Sequence, residues 1–149
     1  MESDERKKRL EQLLERKKVN QKPEYGVLFE ECVEALGENV TVYSNTKSKE
    51  LYDLFQQQIP FTQWSRIDWS KISKYKAIHD LKEVSDLFYK EDIEVYWSYG
   101  NFPVLKTKFD NIIGAFEDLV AVSPDTFLYV PQKYVIEVYH EGEITLGCL

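Results

Sequence analysis

Cysteine, histidine and long apolar runs are all scarce in this 149-residue chain, which holds two cysteines, two histidines, six glycines and one methionine. Cys32 and Cys148 stand far apart, so neither a disulfide framework nor a paired-cysteine zinc spacing is present, and buried reduced thiols are expected. The start, MESDERKKRL, has no apolar core of a secretory signal, and no apolar run approaches the length that spans a bilayer. A cytoplasmic protein is expected. Glycine-rich phosphate loops, G-x-S-x-G elbows and H-E-x-x-H helices are missing as well. With two histidines and no base near Cys148, nucleophilic catalysis has little to work with, so a non-enzymatic role is expected.

Large side chains and negative charge are abundant. Three Trp, ten Tyr and eight Phe, within 43% hydrophobic residues overall, supply a real core for one domain. The 19 Lys+Arg are outnumbered by 26 Asp+Glu, a net charge of −7. The imbalance is uneven: residues 2–22 carry eight basic and five acidic residues, net +3, whereas residues 23–149 carry eleven basic and 21 acidic, net −10. Such an acidic body repels a phosphate backbone and attracts a basic protein. No nucleic acid, membrane, cofactor or metal partner is expected from it.

Residues 3–18 have high helix propensity and a short stripe of Leu10, Leu13 and Leu14, which predicts a weakly docked helix. Residues 19–25, with Pro23, read as a hinge. Residues 1–22 are accordingly assigned as a charged helical extension and residues 23–149 as the domain. Leu28, Phe29, Cys32, Val33 and Leu36 recur at helical steps before Gly37. A strand at Asn39–Tyr43 and a second core helix with Leu51, Tyr52, Leu54 and Phe55 follow, ending near Pro60. The aromatic stretch IPFTQWSRIDWSKI has no clean period, and Trp64 and Trp69 are expected to pin it to the body. A short strand is expected at Lys76–Ile78. Asp80 and Glu83 have the spacing of a capping box opening a helix with Leu81, Val84, Leu87 and Phe88 inward.

Beyond Asp92 the alternation becomes strand-like. Ile93, Val95 and Trp97 alternate with Glu94, Tyr96 and Ser98, and a Gly100 turn leads to Pro103–Thr107. Phe109–Glu117 reads as a short helix. Leu119–Val122, Thr126–Val130, Tyr134–Tyr139 and Glu143–Gly147 read as strands of an antiparallel meander, with Gly142 in the last turn. The class is α+β, with helices from the N-terminal half covering one face of the sheet.

For chemistry, His140 with Glu137, Glu141 and Glu143 is the leading cluster, since carboxylates beside an imidazole hold a divalent metal or pass a proton. Turn carboxylates are more often solvated, and His79 reads as structural. Trp97 is expected in the core; Tyr99 is open to either role. Asp110, Glu117, Asp118, Asp125, Glu137, Glu141 and Glu143 form one negative face if the meander gathers their loops.

The phrases IEVYWSYG (Ile93–Gly100), DLVAVSPDTFLY (Asp118–Tyr129) and YVIEVYHEGEITLG (Tyr134–Gly147), with YGVLFEE and IPFTQWSRIDW between Tyr25 and Ile78, resemble bacterial immunity proteins of polymorphic toxin systems. Those systems include contact-dependent growth-inhibition and LXG-type toxins. The resemblance spans most of residues 24–147 and leaves out the N-terminal helix. It implies a small acidic cytoplasmic antitoxin that binds a cognate toxin domain, often a nuclease, and blocks its active site or substrate groove. The expected toxin contacts are Asp125, Glu137, Tyr139, His140, Glu141 and Glu143, with Tyr99 as aromatic anchor. A Smi1/Knr4-like interaction adaptor and a metal-dependent hydrolase built on His140 are the alternatives.

Overall fold

In a computed structural model that describes residues 5–11 and 25–149, seven strands form one antiparallel sheet in the order β1-β4-β3-β5-β6-β7-β2. The strands are β1 (Thr41–Val42), β2 (Lys74–Ile78), β3 (Asp92–Trp97), β4 (Leu105–Lys108), β5 (Thr126–Val130), β6 (Tyr134–Val138) and β7 (Ile144–Cys148). The helices are α1 (residues 5–11), α2 (Val27–Leu36), α3 (Asn45–Gln58), α4 (Ser85–Phe88), α5 (Phe109–Gly114) and α6 (Phe116–Val120). The α+β class and the β5-β6-β7 meander are as expected. Leu13, Leu14 and the hinge, apart from Tyr25, lie outside the described residues.

Both faces of the sheet are covered, not one. Alternation sends Ile93, Val95 and Trp97 of β3, Leu128 of β5 and Ile136 of β6 to one side, against Phe29, Cys32, Phe88, Phe109, Ile112 and Leu119 from the helices. Tyr96, Phe127, Tyr129 and Val135 point to the other side, where α3 and the segment after it bury Phe55, Ile59, Ile67 and Ile72. This second core is what the aromatic stretch without a period builds. It also explains why all five residues of β5 are buried, since a central strand covered on both faces has no solvent side.

Local chemistry accounts for several element ends. Ser44 caps α3 by accepting from Lys47 N–H at 3.2 Å. Asp80 and Glu83 form the expected capping box, but it opens a 3-10 turn (Leu81–Val84) that runs into the four-residue α4. In so short an element Leu87 turns outward, while Leu81, Val84 and Phe88 are buried. Leu28 and Leu54 are likewise exposed. The run Leu119–Val122 is not a strand: Leu119 and Val120 close α6, and the chain then turns towards β5. Leu119 meets the burial pattern of either element, and its carbonyl accepts from Trp97 Nε1 at 3.1 Å, which fixes Trp97 in the core.

Candidate functional site: one end of the sheet

Because neighbouring strands are antiparallel, the C-terminal ends of β3 and β6 and the N-terminal ends of β5 and β7 meet at one end of the sheet. Hydrogen bonds join the loops there in sequence. Ser123 Oγ accepts from Tyr99 N–H at 3.1 Å and lies 3.2 Å from the Tyr99 carbonyl. Ser98 N–H donates to the Asp125 carbonyl at 3.1 Å, and Asp125 N–H donates to Ser98 Oγ at 3.2 Å. The Asp125 carboxylate accepts from His140 N–H at 2.9 Å and lies 3.1 Å from His140 Nδ1. The β6–β7 turn closes through Tyr139 N–H to Glu143 O and Gly142 N–H to Tyr139 O, with Gly142 at φ 97, a conformation that glycine adopts without strain.

From the second face, the loop between Phe61 and Ile67 reaches the same end. Its foot is a buried carboxylate: Glu137, 1% exposed, accepts from Arg66 Nη2 at 2.9 Å, Ile67 N–H at 2.8 Å and Trp69 Nε1 at 3.3 Å. The Arg66 guanidinium also lies 3.7 Å from the centre of the Tyr139 ring and 3.8 Å from Glu143. A charge taken from water demands such partners, and Glu137 has them.

Of the seven residues expected to form the contact surface, Tyr99, Asp125, Tyr139, His140, Glu141 and Glu143 therefore collect around this end. Tyr99, His140, Glu141 and Glu143 are exposed and Tyr139 is half-buried. Asp125 is buried beneath His140, and Glu137 sits inside the second core as the latch of the Arg66 loop. The wider acidic face contracts in the same way, because Asp118 is also buried while Asp110 and Glu117 are exposed. Among the described residues no group of three or more His, Cys, Asp or Glu side chains is arranged to hold a metal ion.

Two features escaped the sequence reading. Trp64 is 76% exposed rather than pinned to the body. The available signal was Thr62, a residue that folds its hydroxyl onto following backbone N–H groups and so builds a turn around the tryptophan. The second is a pair of buried carboxylates, Glu31 of α2 and Asp118 of α6, covered by α1. Arg6 Nε lies 3.4 Å from both, and Arg9 donates to Asp118 at 2.7 Å. Burial, and then the neighbouring Asp118, raise the Glu31 pKa, against the lowering pull of Arg6 and Arg9. Among the described residues of α1, Arg6 and Arg9 thus tie the helix to the body through charge.

Among the described residues no helix is long and apolar enough to cross a membrane. No curated protein matches the chain. The family model for the CdiI immunity protein, EcoliA0-like, matches residues 26–147, which span all seven strands of the sheet except Cys148 at the end of β7, and not α1. The chain belongs to this CdiI immunity protein family.

Proposed function

We propose that this immunity protein neutralises its toxin by binding the toxin domain one-to-one through the sheet end that carries Tyr99, Tyr139, His140, Glu141 and Glu143. Asp125 and Glu137 hold that surface in shape from beneath. The toxin is a nuclease, its basic substrate groove is the surface bound, and the encounter takes place in the cytoplasm. The observation that carries this reading is the meeting of exposed aromatic and acidic side chains at one end of a domain whose residues 23–149 have a net charge of −10. Exposed carboxylates steer a basic partner and stand where a nuclease expects phosphate. Aromatic side chains around them exclude water and slow dissociation. No turnover is required; coverage of the groove suffices.

Charge reversal tests the surface. With the growth-inhibition toxin domain of the same genome as probe, Glu141→Lys combined with Glu143→Lys is expected to slow association, weaken affinity by about tenfold or more, and flatten its salt dependence. Unchanged affinity and salt dependence would place the contact elsewhere on the molecule. Loss of nuclease inhibition in step with loss of affinity would support occlusion.

A further inference from the structure

Trp64 is an expensive side chain to leave in water, and the loop that presents it is tightly built. Phe61 and Ile67 pair as an isolated antiparallel bridge. Between them Thr62 N–H donates to Arg66 O at 2.7 Å, Ser65 N–H donates to Thr62 O at 3.2 Å, and Thr62 Oγ1 accepts from Trp64 N–H at 3.2 Å. Just outside the bridge, Asp68 N–H donates to Pro60 O at 2.7 Å. Ser65 takes φ 63, in the left-handed region that a serine occupies only at a cost. The base is clamped by Arg66 and Ile67 on buried Glu137. The ends of this strained, internally bonded loop, Phe61 and Ile67, pack into the second core, but the indole it puts into solvent does nothing for that core. It spares a partner the entropy of ordering that side chain on binding.

The surroundings define what fits. Arg66 is bound to buried Glu137 and also lies 3.8 Å from Glu143, and the adjoining β6–β7 turn exposes two carboxylates, Glu141 and Glu143, beside that single cation. Behind the loop a cavity of about 360 Å³ opens towards α3 and the end of β3, lined by Tyr52, Gln56, Phe61, Ser65 and Ser98 among others. Ser65 and Ser98 are the chain neighbours of exposed Trp64 and exposed Tyr99. An exposed indole two residues from Arg66, whose guanidinium lies 3.8 Å from the Glu143 carboxylate, on a loop that backs onto a part-apolar recess, attracts one chemistry above others: an arginine or lysine side chain, whose cation stacks on the ring while its stem lies against apolar surface.

We infer that Trp64 is the anchor of the toxin-binding surface, taking a basic side chain of the toxin domain on its exposed face, with Glu137 and Arg66 as the positioning pair that holds its loop. This rests on the immunity reading above and extends it to a residue and a contact. Trp64→Ala leaves the fold intact because the ring is exposed. Isothermal titration with the growth-inhibition toxin domain of the same genome is expected to show at least about a 30-fold rise in Kd for Trp64→Ala, and a much smaller one for Trp64→Phe, which keeps a ring. Acrylamide should quench Trp64 in the free protein and lose access to it in the complex. If Trp64→Ala binds within threefold of wild type and Trp64 stays quenchable in the complex, the anchor is refuted while the immunity reading stands. If the wild-type protein itself fails to bind that toxin domain, both fall together.

Discussion

Gly147 is a residue whose role is decided by one missing atom. In β7 it lies under Trp69, and a Cβ built there would come within 2.6 Å of the indole Cζ3. Trp69 in turn donates to Glu137, so a displaced indole disturbs the carboxylate that clamps the Arg66 loop. Gly147→Ala is therefore expected to destabilise the domain by about 1–3 kcal/mol, the usual range for overpacking a filled site, measured by urea unfolding. Wild-type stability for this variant would show that Trp69 moves aside freely. Cys32 illustrates the opposite case, a residue readable in advance: burial, followed by the nearby charges of Asp118 and Glu31, pushes its thiol up to about 12, and it remains an inert core side chain.

At the scale of elements, α1 is joined to the body by charge. Its Arg6 and Arg9 cover Glu31 and Asp118, two carboxylates that would otherwise face each other with their charges uncompensated. Glu31 keeps its proton to higher pH in the folded chain than in the unfolded one. The folded state therefore binds more protons in the window that opens at the ordinary glutamate value of 4.5 and extends up to the raised one. Its contribution to stability is complete below 4.5 and is lost as pH climbs through that window. Glu31→Gln removes this titration. Thermal melts from pH 4 upward should show wild type losing stability relative to Glu31→Gln as pH rises, and parallel curves would mean that the arginines fully offset the burial. The existence of α1 was legible in its helix propensity, but its mode of attachment was not, because Arg6 and Arg9 look like any solvated arginines until their partners on α2 and α6 are known.

For the whole molecule, the two covered faces set the distribution of stability. β5 is paired on both sides and buried throughout, whereas β1 is a two-residue edge strand with exposed side chains. The other edge, β2, carries Lys74 and Lys76 on an exposed stretch, charges that discourage pairing with another chain. Amide hydrogen exchange is expected to be slowest at Thr126–Val130, opening only on global unfolding, and fast at Thr41–Val42 through local fraying. Comparable rates in the two strands would contradict a rigid central sheet. That rigidity bears on recognition, since loops rooted in slow-exchanging strands present their side chains in one arrangement.

Periodicity and turn chemistry decide what lies close in the chain, and at that range the sequence alone determined much of this protein. The alternation of Ile93, Val95 and Trp97 and the Gly142 turn each produce their element, the Asp80 and Glu83 spacing produces its capping box but on a 3-10 turn with Leu87 outward rather than on a core helix, and the short phrases from Tyr25 to Gly147 carry the family. Tertiary structure decided which polar residues are inside. Glu137 occupies a strand position that alternation assigns to a face, and only the segment folded over that face makes it a buried latch. Trp64 has the composition of a core residue, and only the hydrogen bonds of its loop turn it outward. The second core, the arginine-covered carboxylates and the gathering of Tyr99, Asp125 and His140 at one end all depend on contacts between segments dozens of residues apart, which no local pattern encodes.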